Sequence, residues 1–163
     1  MSKAKNHWHK LMKELGVSDR DAHLAWRRIE TAYRQPHRRY HVLKHLGQFL
    51  DDLQRFSTPT PSQAQRLPVF FHDIVYDPTA KDNEELSAQA AEDFVRKHGL
   101  CHLIRSVGAM VRATASHTSA QNLALVGPDL TADDLLLFLD CDLLILASKP
   151  RAYNTYVRAV QFE

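Results

Sequence analysis

Apolar residues recur at helical spacing along nearly the whole chain, and the strict alternation of a half-buried strand is missing. Residues 4–15 place Trp8, Leu11, Met12 and Leu15 on one face. "VSDRDAHLAWRRIETAY" opens on Ser18 with Asp21 three residues later, close to a capping box. Its buried stripe is expected to be Leu24, Ala25, Ile29 and Ala32, with Pro36 ending the helix. Across 38–55, Tyr40, Leu43, Leu46, Phe49, Leu50 and Leu53 predict a third amphipathic helix. "STPTPSQ" is the clearest loop. A short helix then leads to Pro68, which at the first turn of a further helix would carry residues 69–76.

Asp82 with Glu85 resembles another capping box, for a helix that Gly99 stops. Residues 101–117 predict a helix with Leu103, Ile104, Val107, Met110 and Val111 inside. Gly127-Pro128 breaks the chain. Thr131 with Asp134 opens "TADDLLLFLDCDLLILAS", which is apolar almost all round and therefore expected to be central. A last helix starts near Pro150. The pattern is that of an all-α bundle of about seven or eight helices. It forms one domain over 1–163, with 1–25 as an N-terminal helical extension.

Composition agrees with this and narrows the class. A chain of 163 residues suits a single domain, and 44% apolar with 25% charged residues is ordinary for a soluble protein. Cys101 and Cys141 show no paired-motif spacing, which suits reduced thiols in a cytoplasm. "MSKAKNHWHK" holds no apolar signal core. The longest apolar run, near 135–147, is too short to span a bilayer, so no membrane association is expected. Residues 1–45 carry eleven Lys and Arg against four acids, while the remainder carries ten against fifteen. A basic N-terminal third serves a phosphate-bearing ligand or a nucleic acid, or is simply a solvated helix face. No helix-turn-helix or zinc-finger pattern supports the nucleic acid.

Several ionisable residues sit where they are costly. Asp140 and Asp142 lie inside the last apolar run, and a buried carboxylate without a partner costs several kcal/mol. On a helix the two point about 200° apart, so one faces a site and the other faces away. His72 and Asp73 lie in the apolar stretch "VFFHDIVYD". They diverge by about 100° on a helix, which still lets both reach one metal between them. Imidazole with carboxylate suits Mn²⁺, Fe, Zn²⁺ or, less well, Mg²⁺. "RRYHVLKH" puts His41 and His45 one helical turn apart. Val42 stands where a zinc protease needs its glutamate. Each feature alone has a plain alternative: a core histidine, an ion-paired aspartate, a basic stripe with Arg38, Arg39 and Lys44.

Together, the order His, His-Asp, distant Asp resembles the HD superfamily of metal-dependent phosphohydrolases, and within it a small family of predicted HD phosphohydrolases. The likeness is carried by "RRYHVLKH" (38–45), "FFHDIVYDP" (70–78), "DNEELSAQ" (82–89), "ATASH" (113–117), "FLDCDLLILA" (138–147) and "YNTYVRAV" (153–160). It implies a helical fold with a metal site between central helices. The implied ligands are His45, His72, Asp73 and Asp142, with His41 and Asp140 as alternates. The ion is a divalent one among Mn, Fe, Zn, Co, Ni and Mg.

Some HD hydrolases place an acid pair one turn after the metal Asp; here those positions are Tyr76 and Asp77. Asp77 and Glu84 are the candidate water-orienting acids. Arg38, His41, Lys44 and His117 are the candidate phosphate-binding residues, and Ser87 either faces the site or is an ordinary helix residue. Hydrolysis of a phosphorylated small molecule or nucleotide is the leading expectation. The alternative is a non-catalytic HD module that binds metal and a phosphorylated ligand. Relatives of this kind are expected to continue into further helices beyond "YVRAVQFE". The oligomeric state is left open, a homo-oligomer included.

Overall fold

Short polar side chains set half of the helix starts. The structure is a computed structural model that describes residues 2–117 and 129–163; Gly127-Pro128 lies outside the described residues. Helix α1 (Lys3–Glu14) begins where Ser2 Oγ accepts the Lys5 N–H, and α2 (Asp19–Ala32) where Ser18 Oγ accepts the Asp21 N–H. Then follow α3 (Leu43–Phe56) and α4 (Gln63–Val69), the latter with a complete Ser62–Gln65 capping box. Helix α5 (Asn83–Lys97) ends before Gly99, whose φ of +69° is the left-handed value that favours glycine. A 3-10 turn, Cys101–Leu103, leads into α6 (Ile104–Ala113). Thr131 and Asp134 form a second capping box for α7 (Ala132–Leu143), which runs on into a 3-10 turn, Leu144–Ala147. Helix α8 (Pro150–Phe162) carries Pro150 in its first turn. The described residues thus form eight α-helices and no strand, as the hydrophobic pattern requires.

The core gathers Trp8, Trp26, Phe49, Phe70 and Phe138, all fully buried. Helix α1 packs on α2, α3 and α4, α5 on α6, and α3 on α7. Helix α1 and the start of α2 thus contribute Ala4, Trp8, Leu11, Met12 and Ala22 to the core. The Trp8 ring meets Phe70 edge-on at 5.0 Å, and its Nε1–H donates to the Ala22 carbonyl at 2.8 Å. Gly47 lets α1 approach α3 closely: a Cβ there would lie 3.3 Å from Lys3 Cβ.

Six local expectations are corrected. The buried positions of α2 are Ala22, Trp26 and Ile29, joined by Tyr33, and Leu24 is exposed. The large rings fill the interhelical space and turn Leu24 out, while Ala25 and Ala32 stay partly buried against the core. Helix α2 also ends at Ala32, four residues before Pro36. Helix α3 starts at Leu43, so Arg38 to His41 precede it in a looped segment. Pro68 sits in the last turn of α4 instead of opening a new helix, and residues 70–73 continue as tight turns. Asp82 makes no side-chain cap for α5, and the Glu85 carboxylate pairs with Arg112 rather than reaching back to the helix start. Helix α7 is buried on one side only, through Leu135, Phe138, Leu139 and Cys141; Leu136 and Leu143 are exposed.

The two thiols sit in opposite environments. Cys101 is exposed, while Cys141 is buried and pushed up to about 12 by that burial and by nearby Asp52, Asp140 and Asp142. Iodoacetamide at pH 8 is therefore expected to alkylate one thiol per folded chain. Peptide mapping should find the label on Cys101, with Cys141 labelled only after denaturation. Equal labelling of both in the folded protein would contradict the burial of Cys141.

Candidate metal centre

Three helix ends bring the candidate ligands together. His45 stands in the first turn of α3, Asp142 in the last turn of α7, and His72 just past the end of α4. Pro68 lacks an N–H and cannot sustain the α4 ladder, so the chain tightens. The N–H groups of Phe71 and His72 both donate to the Pro68 carbonyl, each at 2.9 Å. This leaves the Val69 carbonyl free for the His72 ring, whose Nδ1–H donates to it at 2.8 Å. The His72 tautomer is set by that bond, and Nε2 faces inward.

His72 Nε2 lies 3.1 Å from His45 Nε2 and 3.5 Å from Asp142 Oδ1, and His45 Nε2 is 3.1 Å from the same Oδ1. Asp73 Oδ2 lies 3.0 Å from His72 Nε2 and 4.0 Å from His45 Nε2. Bonds of about 2.0–2.2 Å to one ion put its ligand atoms about 3.0–3.4 Å apart, so the two imidazoles and Asp142 match a shared ion. His45, His72 and Asp142 could hold a metal ion, with Asp73 flanking them. Asp140 is exposed and takes no part.

Charge balance follows from the same contacts. Burial by itself would lower the His72 imidazolium, but the carboxylates of Asp73 and Asp142 raise it well above the usual histidine range. Burial would raise Asp142, yet the charge on His72 and bonds from His117, His45 and His72 hold it well below the usual carboxylate range. Without an ion, a proton on His72 occupies the place of the positive charge.

His117 reaches the other oxygen of the same carboxylate, with Nε2 3.1 Å from Asp142 Oδ2. Its backbone is left-handed, with φ of +50°, just past the end of α6. Glycine is the usual residue at such a helix exit, so a histidine there adopts a costlier conformation to bring an imidazole to the site. His41 stands in the segment before α3. Its Nε2 lies 4.0 Å from Asp73 Oδ2, and its ring centre lies 6.1 Å from that of His45. His41, Asp73, Glu84, His117 and Asp142 line a cavity of about 220 Å³ together with Tyr76. Glu84, in the first turn of α5, makes no hydrogen bond or ion pair among the described residues.

Other candidates stand elsewhere. Asp77 is exposed; its Oδ1 accepts the N–H and hydroxyl of Thr79 at 2.9 and 2.7 Å, which makes it a turn residue outside the cavity. Arg38 is buried and faces the protein. Its guanidinium donates to the carbonyls of Asp73 at 2.6 Å and Ile74 at 3.2 Å, with Tyr33 and Tyr76 rings about it. Arg38 thus holds the backbone beside His72 and does not face the cavity. Ser87 is fully buried and bonds the N–H and carbonyl of Val75, tying α5 to the same segment. Lys44 is exposed on the wall of a neighbouring groove.

Glu163 was not a sequence candidate. Its Oε1 accepts the backbone N–H groups of Arg39, Tyr40 and His41 at 2.5, 2.7 and 3.1 Å. Its Oε2 accepts His41 Nδ1–H at 2.6 Å and the Tyr76 hydroxyl at 3.0 Å. Burial would raise this carboxyl, but these bonds hold it below the usual range. The end of α8 thereby holds His41 in place. A lone glutamate after "YVRAVQF" carries no local signal of a contact made 122 residues away. No protein-family model, curated protein or solved structure matched the chain.

Proposed function

We propose that the chain is an HD-type metal-dependent phosphohydrolase that cleaves a phosphate ester. The observation that carries this reading is the His45, His72 and Asp142 cluster, with ligand atoms at the mutual spacing of a shared ion. The Val69 carbonyl accepts the His72 Nδ1–H and leaves Nε2 as the atom offered to an ion, as is usual for a metal-bound imidazole. A bound divalent ion supplies Lewis acidity to a phosphoryl oxygen and acidifies water. Asp73 completes the set from the cavity side.

The remaining chemistry belongs to the chain. Glu84 stands free in the cavity wall and takes a proton from the attacking water. His41, held by Glu163, and His117, held on Asp142, present ring nitrogens to the phosphoryl oxygens. As the water oxygen bonds to phosphorus, the ester oxygen leaves and takes a proton from solvent, giving an alcohol and phosphate. Asp77 is assigned no part in this step.

With Mn²⁺, Co²⁺ or Ni²⁺ added, turnover of at least one ester in a phosphomonoester and nucleotide panel is expected. Glu84→Gln should lower kcat by about 10²–10⁴-fold with metal content unchanged, the size of a lost general base. Absence of any turnover that depends on His72 and Asp73 would dismiss the hydrolase. A second reading, a metal- and phosphate-binding module without turnover, draws on Asp77 being engaged in its turn and Tyr76 replacing an acid. It predicts ligand-dependent thermal stabilisation with no product formed.

A further inference from the structure

We propose that the groove beside the metal centre binds a second phosphate of the substrate, so that the ester carries at least one further phosphate on its leaving side. This rests on the phosphohydrolase reading and names the substrate class for it. The cavity over the ligands, about 220 Å³, is smaller than the 300–1,000 Å³ usual for a whole organic ligand, so an ester of nucleotide size would extend beyond it. A second groove of about 500 Å³ adjoins it. Tyr40, Ile145 and Tyr156 line both, and His45 also lines the groove, so the two adjoin across these side chains.

The charge of the groove is one-sided. Arg39, Lys44, Lys149 and Arg151 line it, and no carboxylate does. Lys44, Lys149 and Arg151 are exposed and make no ion pair among the described residues. Exposed cations elsewhere, such as Lys13, Arg27 and Lys97, also make no ion pair among the described residues, so it is the convergence of these four on one groove that sets them apart. The cations of the groove come from two distant parts of the chain, the start of α3 and the start of α8. The fold, and not a run of basic sequence, concentrates them there. Unpaired cations converging beside a phosphoryl site complement a ligand with a second phosphate, through charge-assisted bonds that a neutral leaving group cannot make. Val42, Ala152 and Ala159 give the same groove an apolar floor.

The test is calorimetric titration of the full chain in EDTA, which removes the metal from the comparison. Inorganic phosphate is compared with tripolyphosphate, and AMP with ATP, at about 0.1 M salt so that long-range attraction is screened. At least tenfold tighter binding of tripolyphosphate and ATP is expected. ATP binding more tightly than tripolyphosphate assigns the apolar floor to an organic leaving group; equal binding assigns the groove to the phosphate chain alone.

Lys149→Glu with Arg151→Glu should abolish the preference. Arg20→Glu with Lys81→Glu, an equal charge change at exposed positions away from the groove, should leave it intact. Equal affinity for single and multiple phosphates would overturn the proposal. So would a preference that survives the groove variant or is lost equally in the control. Metal loading and turnover play no part in this readout, so a failed hydrolase assay and a failed groove assay are distinguishable.

Discussion

His72→Ala is expected to leave the purified protein without its metal. After dialysis against metal-free buffer, elemental analysis should find close to one divalent ion per wild-type chain and less than about a tenth of that in the variant. His72 offers one of the three converging candidate ligand atoms, its Nε2 lying 3.1 Å from His45 Nε2 and 3.0 Å from Asp73 Oδ2. Two companion variants keep the test sharp. Asp142→Asn should lose the ion as His72→Ala does, because Oδ1 lies at the centre of the cluster. Asp140→Asn should retain it, because Asp140 is exposed on the other side of α7.

The metal-free proteins should differ as well. With His72 gone, Asp73 and Asp142 lose the cation that holds both of them charged, a loss of about 3–5 kcal/mol for a buried pair. Urea unfolding in EDTA measures it. Retention of a stoichiometric ion by His72→Ala, or its loss from Asp140→Asn, would remove the assigned ligand set.

Arg38→Ala should produce the second large effect, on stability. Arg38 is 2% exposed, and its guanidinium is the hydrogen-bond partner of four groups. Removing it leaves the Asp73 and Ile74 carbonyls without their donors, and a buried group left unpaired costs about 1–3 kcal/mol. The packing of the guanidinium between Tyr33 and Tyr76 is lost too. A loss of about 3 kcal/mol is expected in urea unfolding, read as a lower midpoint with an unchanged slope.

Arg38→Lys should recover less than half of this, because one ammonium cannot reproduce a fork that bonds two successive carbonyls. A loss under about 1 kcal/mol, or full recovery by lysine, would mean that Arg38 does not hold this segment. The same variant separates two roles for the arginine. A phosphate-binding Arg38 would weaken ligand affinity and leave the unfolding midpoint unchanged.

Local order was legible where local physics decides it. Ser18, Thr131, Gly99 and Pro150 marked helix ends because capping and backbone freedom depend on a few neighbouring residues. The apolar spacing gave eight helices among the described residues because each must bury one face. His45, His72 and Asp142 were legible for a different reason. Ionisable groups in apolar surroundings need partners, and their ordered blocks resembled a known metal-binding pattern.

Errors came where several elements share a decision. A bulky Trp26 and Tyr33 turned Leu24 out of the buried stripe of α2. The segment before α3 kept a helical rhythm of residues without being helical, since its N–H groups are claimed by Glu163 from the end of α8.

The amino-acid sequence by itself determined an all-helical chain, most of its helix boundaries and the residue types able to meet a metal. These follow from interactions within a few residues, where spacing is geometry. The ordered blocks already favoured Asp142 over Asp140, and the fold brings Asp142 against the two imidazoles; tertiary structure alone decided which acid stands free in the cavity, Glu84 over Asp77. It also placed Arg38 behind the site and Glu163 against His41. Each of these depends on the relative placement of helices far apart in the chain. Long-range burial and hydrogen bonding set that placement, and residue spacing carries no record of it.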